Sequence, residues 1–474
     1  MENSSDCLTD WLPDGIFRAY DIRGVMGKTL SPEIATRIGQ AFATHVAAVT
    51  GNPSPVIATA RDGRTSSPLL SAALITGLTD AGAQVKDCGL GPTPLCYFAA
   101  EHLNADGAIM LTGSHNPPDH NGFKMVCAGL PVYGDEITAI KDRILSGDFT
   151  TGRNSNRESV DLHNIYISRL LEGFEGDASG LKAVWDPGNG AAGDICEMLM
   201  DKLPGKHWAI NTEIDGTFPN HHPDPTLPEN LTQLTAEVKR RGADIGFAFD
   251  GDGDRIGAVD SQGNILWADQ MLTLMARDVL AKTPGQTIIA DVKASQTFFD
   301  DVAGHGGVPL MWKTGHSLIK AKMKETGAPL GGEMSGHIFF ADRYYGFDDG
   351  LYAAIRLLEM LAKSDQSLTA LQASLPAVQN TPELRVECPE GEKFGIIDRI
   401  RTLASAATHE GQRLEVNATD GIRAKFKDGW WLVRASNTQE ALSIRCEAQT
   451  PETLDALKAM TTAYLKAEGV EVNF

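Results

Sequence analysis

Residues 55–112 of the sequence read PVIATARDGRTSSPLLSAALITGLTDAGAQVKDCGLGPTPLCYFAAEHLNADGAIMLT and decide the fold class. Apolar runs and helical periodicity predict alternating strands and helices, at Pro55–Ala60, Pro68–Asp80, Gln84–Asp87, Pro94–Leu103 and Gly107–Leu111. Such alternation is typical of α/β proteins, in which helices cover a layer of strands. Loops beyond the carboxyl ends of parallel strands are where these proteins bind ligands. The loop that follows Leu111 is therefore a candidate site.

The same alternation continues along the chain and changes near its end. Further strands, each accompanied by a helical pattern, are predicted at Lys182–Trp185, Asp244–Phe249, Thr287–Ala290 and Val308–Trp312. After about residue 377 the pattern changes to strands around one helix, at Leu384–Cys388, Arg413–Val416, Ile422–Phe426 and Trp430–Arg434. A KDG turn is predicted at Lys427–Gly429. This last part is α+β, with mostly antiparallel strands.

The chain length requires several domains, because 474 residues exceed the ~250 to 300 that one hydrophobic core supports. Candidate linkers are Thr150–Ser159, the turn around Ser261–Asn264, and Ser364–Asn380. We predict an α/β fold: three consecutive α/β domains with layered helices and sheets, followed by a smaller α+β C-terminal domain. The predicted ranges are 1–160, 161–264, 265–376 and 377–474.

Composition excludes several classes of protein. Hydrophobic residues make up 42% and charged residues 22%, which is ordinary for a globular protein and unlike a disordered or fibrous one. The net charge of −20 disfavours nucleic acid and anionic membranes as partners. No apolar stretch approaches the ~20 residues of a membrane span, and the N-terminus lacks signal-peptide features, so we expect a soluble, cytoplasmic protein. Seven scattered cysteines without C-x-x-C spacing predict buried thiols.

The loop after Leu111 reads TGSHNPP, residues 112–118. Ser114 has small neighbours and two following prolines that stiffen the loop, so its hydroxyl is a candidate nucleophile. The alternative is an ordinary turn made by Ser114 and Asn116. A hydrolase-type serine is disfavoured by the absence of a G-x-S-x-G elbow. His115 is no assured base for Ser114, because adjacent side chains of an extended segment point apart.

A second motif, DGDGDR at residues 250–255, follows the apolar run Ile245–Phe249. Alternate residues of an extended segment face one side, so Asp250, Asp252 and Asp254 are expected to converge. Three close carboxylates need a cation, and hard oxygen ligands favour Mg²⁺ or Ca²⁺. An EF-hand is excluded, because Arg255 occupies the position of its invariant glycine. A solvated acidic turn is the alternative.

Two further motifs offer groups suited to a sugar phosphate. In GGEMSGH, residues 331–337, Glu333 and Ser335 can share a face and bind hydroxyls, although an ordinary turn is the alternative. In RASNTQE, residues 434–440, an arginine precedes short polar side chains and backbone N–H groups. That combination suits a phosphate dianion. The stretch at Gly24–Thr29 is not a Walker loop, because Ile22 occupies the position of that motif's first glycine.

Together these motifs resemble the α-D-phosphohexomutase superfamily. FRAYDIRG (17–24), FPNHHPDP (218–225) and KTGHSLIK (313–320) match as well, in the family's order and spacing. GEMSGH is similar to the phosphomannomutase/phosphoglucomutase branch. The resemblance implies a four-domain, heart-shaped molecule with one loop from each domain facing a central cleft. It also implies interconversion of hexose 6-phosphate and hexose 1-phosphate, for mannose and glucose, through a phosphoserine and a hexose 1,6-bisphosphate.

The resemblance also implies roles for individual residues. Ser114 would carry the phosphoryl group, and Mg²⁺ would bind Ser114, Asp250, Asp252 and Asp254. The catalytic residues implied are Ser114, His115, Lys124, Arg23 and His337, with Lys124 and His337 as candidates for proton transfer. The substrate-binding residues implied are Tyr20, Arg255, Lys293, His316, Glu333, Ser335, His337, Arg434, Ser436, Asn437 and Thr438. His316 or His337, taken singly, would more often be a structural histidine.

The expected ligands and partners follow from the same resemblance. Mg²⁺ is the expected cofactor, with glucose or mannose 1,6-bisphosphate as activator and intermediate. Small hexose phosphates are the expected partners, without nucleic acid or membrane, and the chain is expected to be a monomer. Two rivals remain open at this point: a non-catalytic sugar-phosphate sensor on the same fold, and a phosphatase. The first would not need Ser114, and the second would release phosphate.

Overall fold

A computed structural model describes residues 11–152, 155–406, 408–409, 412–437 and 440–474. Within them, four separate sheets follow one another along the chain, with helices packed on their faces, and a two-stranded sheet accompanies the last. None of the helices in these ranges has the length and apolar character needed to cross a bilayer. The six cysteines that fall in the described ranges are free and buried, as predicted for them.

The first domain is a seven-stranded mixed sheet with helices on it. Its elements are β1 (Ile22–Val25), α1 (Pro32–Thr50), β2 (Val56–Arg61), α2 (Ser67–Asp80), β3 (Gln84–Leu90), α3 (Thr93–His102), β4 (Gly107–Leu111), β5 (His120–Cys127), β6 (Leu130–Pro131), α4 (Asp135–Ser146) and β7 (Asn156–Ser159). Strands β4, β2, β3 and β7 are parallel, whereas β5 runs antiparallel to β4. The quoted stretch thus forms the predicted strands and helices. The predicted linker Thr150–Ser159 is wrong over β7, whose polar, exposed residues form an edge strand.

The second and third domains repeat this layered arrangement. The second contains α5 (His163–Leu170), β8 (Lys182–Asp186), α6 (Gly193–Met200), β9 (Lys206–Ala209), α7 (Thr232–Arg241), β10 (Ile245–Phe249), β11 (Ile256–Asp260) and β12 (Ile265–Leu266). The third contains α8 (Ala268–Lys282), β13 (Thr287–Asp291), α9 (Gln296–Gly304), β14 (Val308–Trp312), α10 (His316–Thr326), β15 (Leu330–Gly332), β16 (Ile338–Phe340), α11 (Gly350–Lys363) and α12 (Leu368–Ala373). Each sheet pairs central parallel strands with an antiparallel strand at one side, β11 and β16 respectively. Helix α12 lies inside a predicted linker, where the Ser367 hydroxyl caps it by accepting from the Ala370 N–H.

The C-terminal domain is antiparallel in its described strands and carries two helices rather than the predicted one. Its elements are β17 (Gln379–Asn380), β18 (Leu384–Glu387), α13 (Glu390–Ala406), β19 (Thr408–His409), β20 (Gln412–Arg413), β21 (Glu415–Asn417), β22 (Ile422–Lys425), β23 (Gly429–Ala435), β24 (Ala441–Ala448) and α14 (Pro451–Ala467). The strand predicted at Arg413–Val416 is divided between β20 and β21. Strand β24 was not predicted, yet it pairs with β17, β18 and β23. The KDG turn joins β22 to β23 as predicted.

All four domains contribute to one central cleft, as the family resemblance implied. Its walls include residues of the first domain such as Arg23, Arg255 of the second, Glu333 of the third and Arg434 of the fourth. The cleft encloses a cavity of about 570 Å³. A cavity of that size falls within the range of small-molecule sites. The fold therefore places the four sequence motifs around a single space.

Candidate active site

The loop after β4 presents Ser114 to the metal motif of the second domain. The Ser114 hydroxyl donates to Asp250 Oδ2 at 2.8 Å and lies 3.1 Å from His115 Nδ1. The backbone at Ser114 is left-handed, with φ of 49°, so the expectation that adjacent side chains point apart is wrong here. Burial, with Arg255 and Arg23 nearby, lowers the pKa of His115 well below its ordinary value, so its imidazole is neutral. A neutral ring at this distance can share a hydrogen bond with the Ser114 hydroxyl oxygen.

Arg64 holds this loop, although no sequence motif pointed to it. Its side chain is fully buried, and its Nε donates to Asp62 Oδ2 at 3.1 Å. Its terminal nitrogens donate to four backbone carbonyls of the loop, those of Ser114, Asn116, Pro117 and His120. All the guanidinium nitrogens are thus engaged. Arg64 fixes the position of the serine loop rather than contacting a ligand.

The three aspartates of DGDGDR converge in a tight turn between β10 and β11. They are fully buried, and their carboxylate oxygens approach within 4.8 Å of one another. The convergence was predicted, but its reason was wrong: the segment turns, with a Gly253 N–H to Asp250 carbonyl hydrogen bond and φ of 74° at Gly253. Gly251 allows close approach to the serine loop, since an added Cβ would lie 2.4 Å from the Ser114 carbonyl oxygen.

The chemistry of this turn fits a divalent cation. Asp252 Oδ1 and Asp254 Oδ1 are buried and have no hydrogen-bond partner within the described residues. Burial, together with Asp252 and Asp254, raises the pKa of Asp250 well above its ordinary value. Three buried carboxylates, two of which keep an unpartnered oxygen, are costly without enough positive charge, and oxygen-only ligands favour Mg²⁺ or Ca²⁺. Asp250, Asp252, Asp254 and the Ser114 hydroxyl oxygen are the groups placed to hold it.

Lys124 supplies a fixed positive charge to the same turn. It lies on β5, and its ammonium donates to Asp252 Oδ2 at 2.7 Å and to Asp254 Oδ2. Burial alone would lower the pKa of Lys124, but these carboxylates and Asp250 outweigh it, so the pKa lies above its ordinary value. Lys124 is therefore a cation at neutral pH, and it is suited to stabilising negative charge on a phosphoryl group.

His337 lies beside the DGDGDR turn, with its Nδ1 3.6 Å from Asp254 Oδ1, and it is placed between an arginine and an unpredicted aspartate. Its Nε2 accepts from Arg255 Nε at 3.1 Å, and its Nδ1 lies 2.9 Å from Asp348 Oδ2. Asp348 is fully buried and also binds Lys320 Nζ at 2.8 Å. The ring of His316 stacks on that of His337, with centroids 5.3 Å apart. The only available signal for Asp348 was its place just before the N-cap of α11, which says nothing about His337.

The GGEMSGH motif begins with the last two residues of β15 and forms the connection to β16. Glu333 is buried, and its carboxylate accepts from the Gly315 N–H and, at 3.4 Å, from the Ser335 hydroxyl. Glu333 and Ser335 share a face, as predicted, and both line the cleft. Two adjacent oxygen groups facing a cavity are suited to binding sugar hydroxyls.

The phosphate motif of the fourth domain follows β23. Arg434 Nε donates to Asp420 Oδ2 at 3.0 Å, and the Asn437 amide donates to the Tyr20 hydroxyl of the first domain. Lys293 of the third domain also lines the cavity and pairs with Glu383 Oε2 at 3.2 Å. Ser436 also lines the cleft, whereas Thr438 lies outside the described residues. Arg434, Asn437 and Lys293 thus place three donors on one side of the cavity.

The structure brings the predicted site residues together in two layers. Those that line the cavity itself are Tyr20, Arg23, His115, Arg255, Lys293, His316, Glu333, Ser335, His337, Arg434, Ser436 and Asn437. Ser114, Lys124 and the three aspartates form a buried layer, each with at most 4% of its surface exposed. Sequence reasoning missed Arg64, Asp348 and Asp420, which contact other site residues and belong to no predicted motif.

Comparisons with known proteins agree with this arrangement. Four family models for phosphoglucomutase/phosphomannomutase match in order: alpha/beta/alpha domain I over residues 14–151, domain II over 164–263, domain III over 267–378 and the C-terminal domain over 383–463. A phosphomannomutase/phosphoglucomutase from Pseudomonas aeruginosa is 46% identical over 456 residues, 96% of each chain. A phosphoglucomutase from Neisseria meningitidis serogroup A is 43% identical over 95% of this chain and 97% of its own.

A solved structure extends the similarity to three dimensions. The phosphoglucomutase/phosphomannomutase family protein from Burkholderia thailandensis has a TM-score of 0.89 and 45% identity. The match covers 96% of this chain and 98% of that one.

The fold and site together define a phosphoryl-transfer enzyme, with a serine hydroxyl against three aspartates in a cleft lined by cations. The chain belongs to the phosphoglucomutase/phosphomannomutase family. It is accordingly an intramolecular phosphotransferase, an isomerase.

Proposed function

We propose that this enzyme interconverts the 1-phosphates and 6-phosphates of mannose and glucose. The observation that carries the proposal is the 2.8 Å contact between Ser114 Oγ and Asp250 Oδ2, within a triad of buried carboxylates. Relatives over 40% identical are named phosphomannomutase/phosphoglucomutase or phosphoglucomutase, which supports both sugars as substrates. A coupled mutase assay on mannose 1-phosphate and glucose 1-phosphate tests the proposal, and net phosphate release would instead indicate a phosphatase.

In the proposed reaction Ser114 carries a phosphoryl group as a phosphoserine. The phosphoryl group passes to the free hydroxyl of the sugar, so that the Ser114 oxygen–phosphorus bond breaks and a hexose 1,6-bisphosphate forms. The other phosphoryl group of this intermediate then returns to Ser114. Mg²⁺, held by Asp250, Asp252, Asp254 and a phosphoserine oxygen, would neutralise charge on the transferring group. Added glucose or mannose 1,6-bisphosphate would act as activator by phosphorylating free Ser114.

The surrounding side chains have distinct proposed tasks. Lys124 and Arg23 hold positive charge beside the transferring phosphoryl group, which lowers the energy of its transition state. His115 lies within hydrogen-bond distance of Ser114 Oγ and can exchange a proton with it. His337, whose Nδ1 lies 3.6 Å from Asp254 Oδ1, is the candidate to take the proton of the attacking sugar hydroxyl. Four other residues that line the cleft would contact the substrate: Tyr20, Arg255, Lys293 and His316.

The non-reacting phosphate would be bound by Arg434, with Ser436, Asn437 and Thr438 beside it. Arg434→Ala should lower kcat/KM by roughly 10²-fold, because two charge-assisted hydrogen bonds in a water-accessible cleft contribute about 3 kcal/mol. Steady-state kinetics with glucose 1-phosphate would measure the effect. A decrease in kcat/KM of less than about fivefold would be too small for two such hydrogen bonds, and it would mean that the phosphate binds elsewhere.

Substrate range should follow from the hydroxyls that Glu333 and Ser335 can hold. When the bisphosphate exchanges its ends, O3 and O4 roughly exchange places, so the same pair of residues can bind them in both orientations. Mannose and glucose differ only at C2. We therefore expect both sugars to react, with discrimination of about 1 to 3 kcal/mol or less, as is typical for one small group.

Glu333→Gln tests this account, because it should reduce kcat/KM for both sugars together. The measurement compares mannose 1-phosphate and glucose 1-phosphate in the same preparations of wild type and variant. A variant that loses one sugar and keeps the other would contradict shared binding of O3 and O4. A wild-type preference beyond roughly 10³ would contradict it as well, since one hydroxyl contact does not supply so much.

A further inference from the structure

Asp420 links the fourth domain, to which it belongs, to the third domain at the edge of the cleft. It lies in the turn before β22, and one of its oxygens, Oδ2, accepts two hydrogen bonds. One comes from Arg434 Nε at 3.0 Å, and the other from the backbone N–H of Thr314 at 3.0 Å. Thr314 lies between β14 and α10, in the third domain. A single oxygen therefore joins the arginine of the fourth domain to the backbone of the third.

The contact with Asp420 leaves the two terminal nitrogens of the Arg434 guanidinium available for a ligand. A guanidinium has five N–H donors, and only Nε is engaged by Asp420. Its two terminal nitrogens have no hydrogen bond within the described part of the chain, and Arg434 lines the cleft while being 4% exposed. This is the edge that binds a phosphate through two parallel hydrogen bonds. By contrast, Arg64 uses all its nitrogens on protein groups.

The backbone of the turn before β22 holds Asp420 close to Arg434. The next residue, Gly421, has φ of 78°, in the left-handed region that favours glycine. A Cβ at Gly421 would lie 2.5 Å from the Val433 carbonyl oxygen and 2.6 Å from the Arg434 Cα. Only glycine allows the turn to press this closely on β23. Asp420 is thereby held at a fixed distance from the arginine.

The same backbone segment of the third domain also reaches the sugar-binding groups. The Thr314 carbonyl accepts from the Tyr20 hydroxyl at 2.9 Å, and the next N–H, that of Gly315, donates to Glu333. Successive peptide groups thus bind Asp420, beside the phosphate motif, and Glu333, in the sugar motif. The distance between the two motifs is set by one short rigid segment.

We propose that Asp420 is a positioning residue, which aims the Arg434 guanidinium at the non-reacting phosphate and fixes it relative to Glu333. It does not touch the substrate and acts only through Arg434. This inference rests on the proposed function, in which Arg434 binds that phosphate. Without the carboxylate, Arg434 would remain charged but adopt several orientations, so substrate binding would weaken while the chemistry at Ser114 would be spared.

The test is Asp420→Asn, which preserves shape and removes the charge that orients Arg434. We expect KM for glucose 1-phosphate to rise roughly tenfold, the effect of one charge-assisted hydrogen bond, with kcat within about threefold of wild type. Asp301→Asn is the matched control, because Asp301 pairs with Arg277 at a similar exposure outside the cleft. The control should leave KM unchanged. An unchanged KM in Asp420→Asn, or a loss confined to kcat, would overturn the proposal.

A double variant separates positioning from general destabilisation. If Asp420 acts through Arg434, then Asp420→Asn combined with Arg434→Ala should be no worse than Arg434→Ala alone, within about threefold. Multiplied losses would overturn the proposal. Thermal unfolding checks that each variant is folded. If Asp420→Asn does not fold, Asp420→Glu keeps the charge at a displaced distance, and the same comparison with Arg434→Ala then decides.

Direct binding distinguishes this inference from the proposed function. The Kd of glucose 1-phosphate, measured by calorimetry in a Ser114→Ala background, needs no turnover. It should rise roughly tenfold with Asp420→Asn, like KM. A wild-type enzyme without mutase activity would defeat the proposed function even if this difference in Kd persisted. Equal Kd values in an active enzyme would defeat only the role of Asp420.

Discussion

Ser114→Ala is expected to abolish turnover and leave the fold intact. The substitution removes the hydroxyl that would carry the phosphoryl group, and it removes only one oxygen from the buried layer. Loss of a covalent nucleophile lowers kcat by roughly 10⁴-fold or more in well-studied enzymes. The alanine also cannot donate to Asp250 Oδ2, which Ser114 does at 2.8 Å. Mutase assays and thermal unfolding of the same preparation would measure activity and fold separately.

Mass spectrometry adds a readout that activity cannot provide. Incubated with glucose 1,6-bisphosphate, the wild type should gain one covalent phosphate, and Ser114→Ala should gain none. Ser168→Ala is a suitable control, because Ser168 is an exposed serine on α5 that donates only to a backbone carbonyl. It should gain phosphate like the wild type. Substantial mutase activity in Ser114→Ala, or its phosphorylation, would eliminate the phosphoserine mechanism.

Asp252→Asn is expected to lower kcat/KM by roughly 10³-fold and to raise the Mg²⁺ concentration needed for activity. An amide cannot supply the charge of a carboxylate ligand, and outer-shell ligand partners alone already contribute 10- to 100-fold. The substitution also deprives the buried ammonium of Lys124 of a partner 2.7 Å away. Breaking a buried pair can destabilise the fold by about 3 to 5 kcal/mol, although Lys124 keeps Asp254 as a second partner, so thermal unfolding should accompany the kinetics.

The measurement is the dependence of activity on Mg²⁺ concentration for wild type and variant. Asp177→Asn makes the same chemical change at an exposed residue between α5 and β8, where the carboxylate accepts from Ser179. Its dependence on Mg²⁺ should equal that of the wild type. If Asp252→Asn also retained the wild-type dependence, the metal would have to bind elsewhere.

Much of the fold was accessible from sequence because it is local. The alternation in residues 55–112 depends on periodicity within single elements, and the structure follows it within a few residues. Strands β24 and β7 are among those that escaped prediction. Strand β24 reads ALSIRCEA, which alternates apolar and polar residues, so its pattern was present in the sequence. Its polar face is nevertheless buried, because Arg445 donates to the Lys293 carbonyl and Glu447 accepts from the Ser295 hydroxyl of the third domain. Strand β7 is polar, and only its pairing with β3 makes it a strand.

The candidate site, like the fold, has a part that could be predicted from local sequence and a part that could not. Ser114 and the three aspartates were predictable because each motif is contiguous and chemically specific. Their convergence was assigned to an extended backbone, whereas Gly253 produces a turn and Ser114 is left-handed. Those backbone angles depend on contacts between the two loops, as the close approach of Gly251 to the Ser114 carbonyl demonstrates. Sequence could therefore identify these groups but not their mutual geometry.

The sequence by itself determined the fold class, the family and the chemical groups that face the cleft, since these depend on residue type and order. Only the tertiary structure decided which residues orient those groups. Arg64, Asp348 and Asp420 have no motif of their own, and each also has a partner in a separate segment of the chain: Asp420 meets Thr314 across 106 positions, Arg64 meets Ser114 across 50 and Asp348 meets Lys320 across 28. A hydrogen bond between distant segments leaves no periodicity or spacing in the sequence, because its geometry exists only after the domains have packed together.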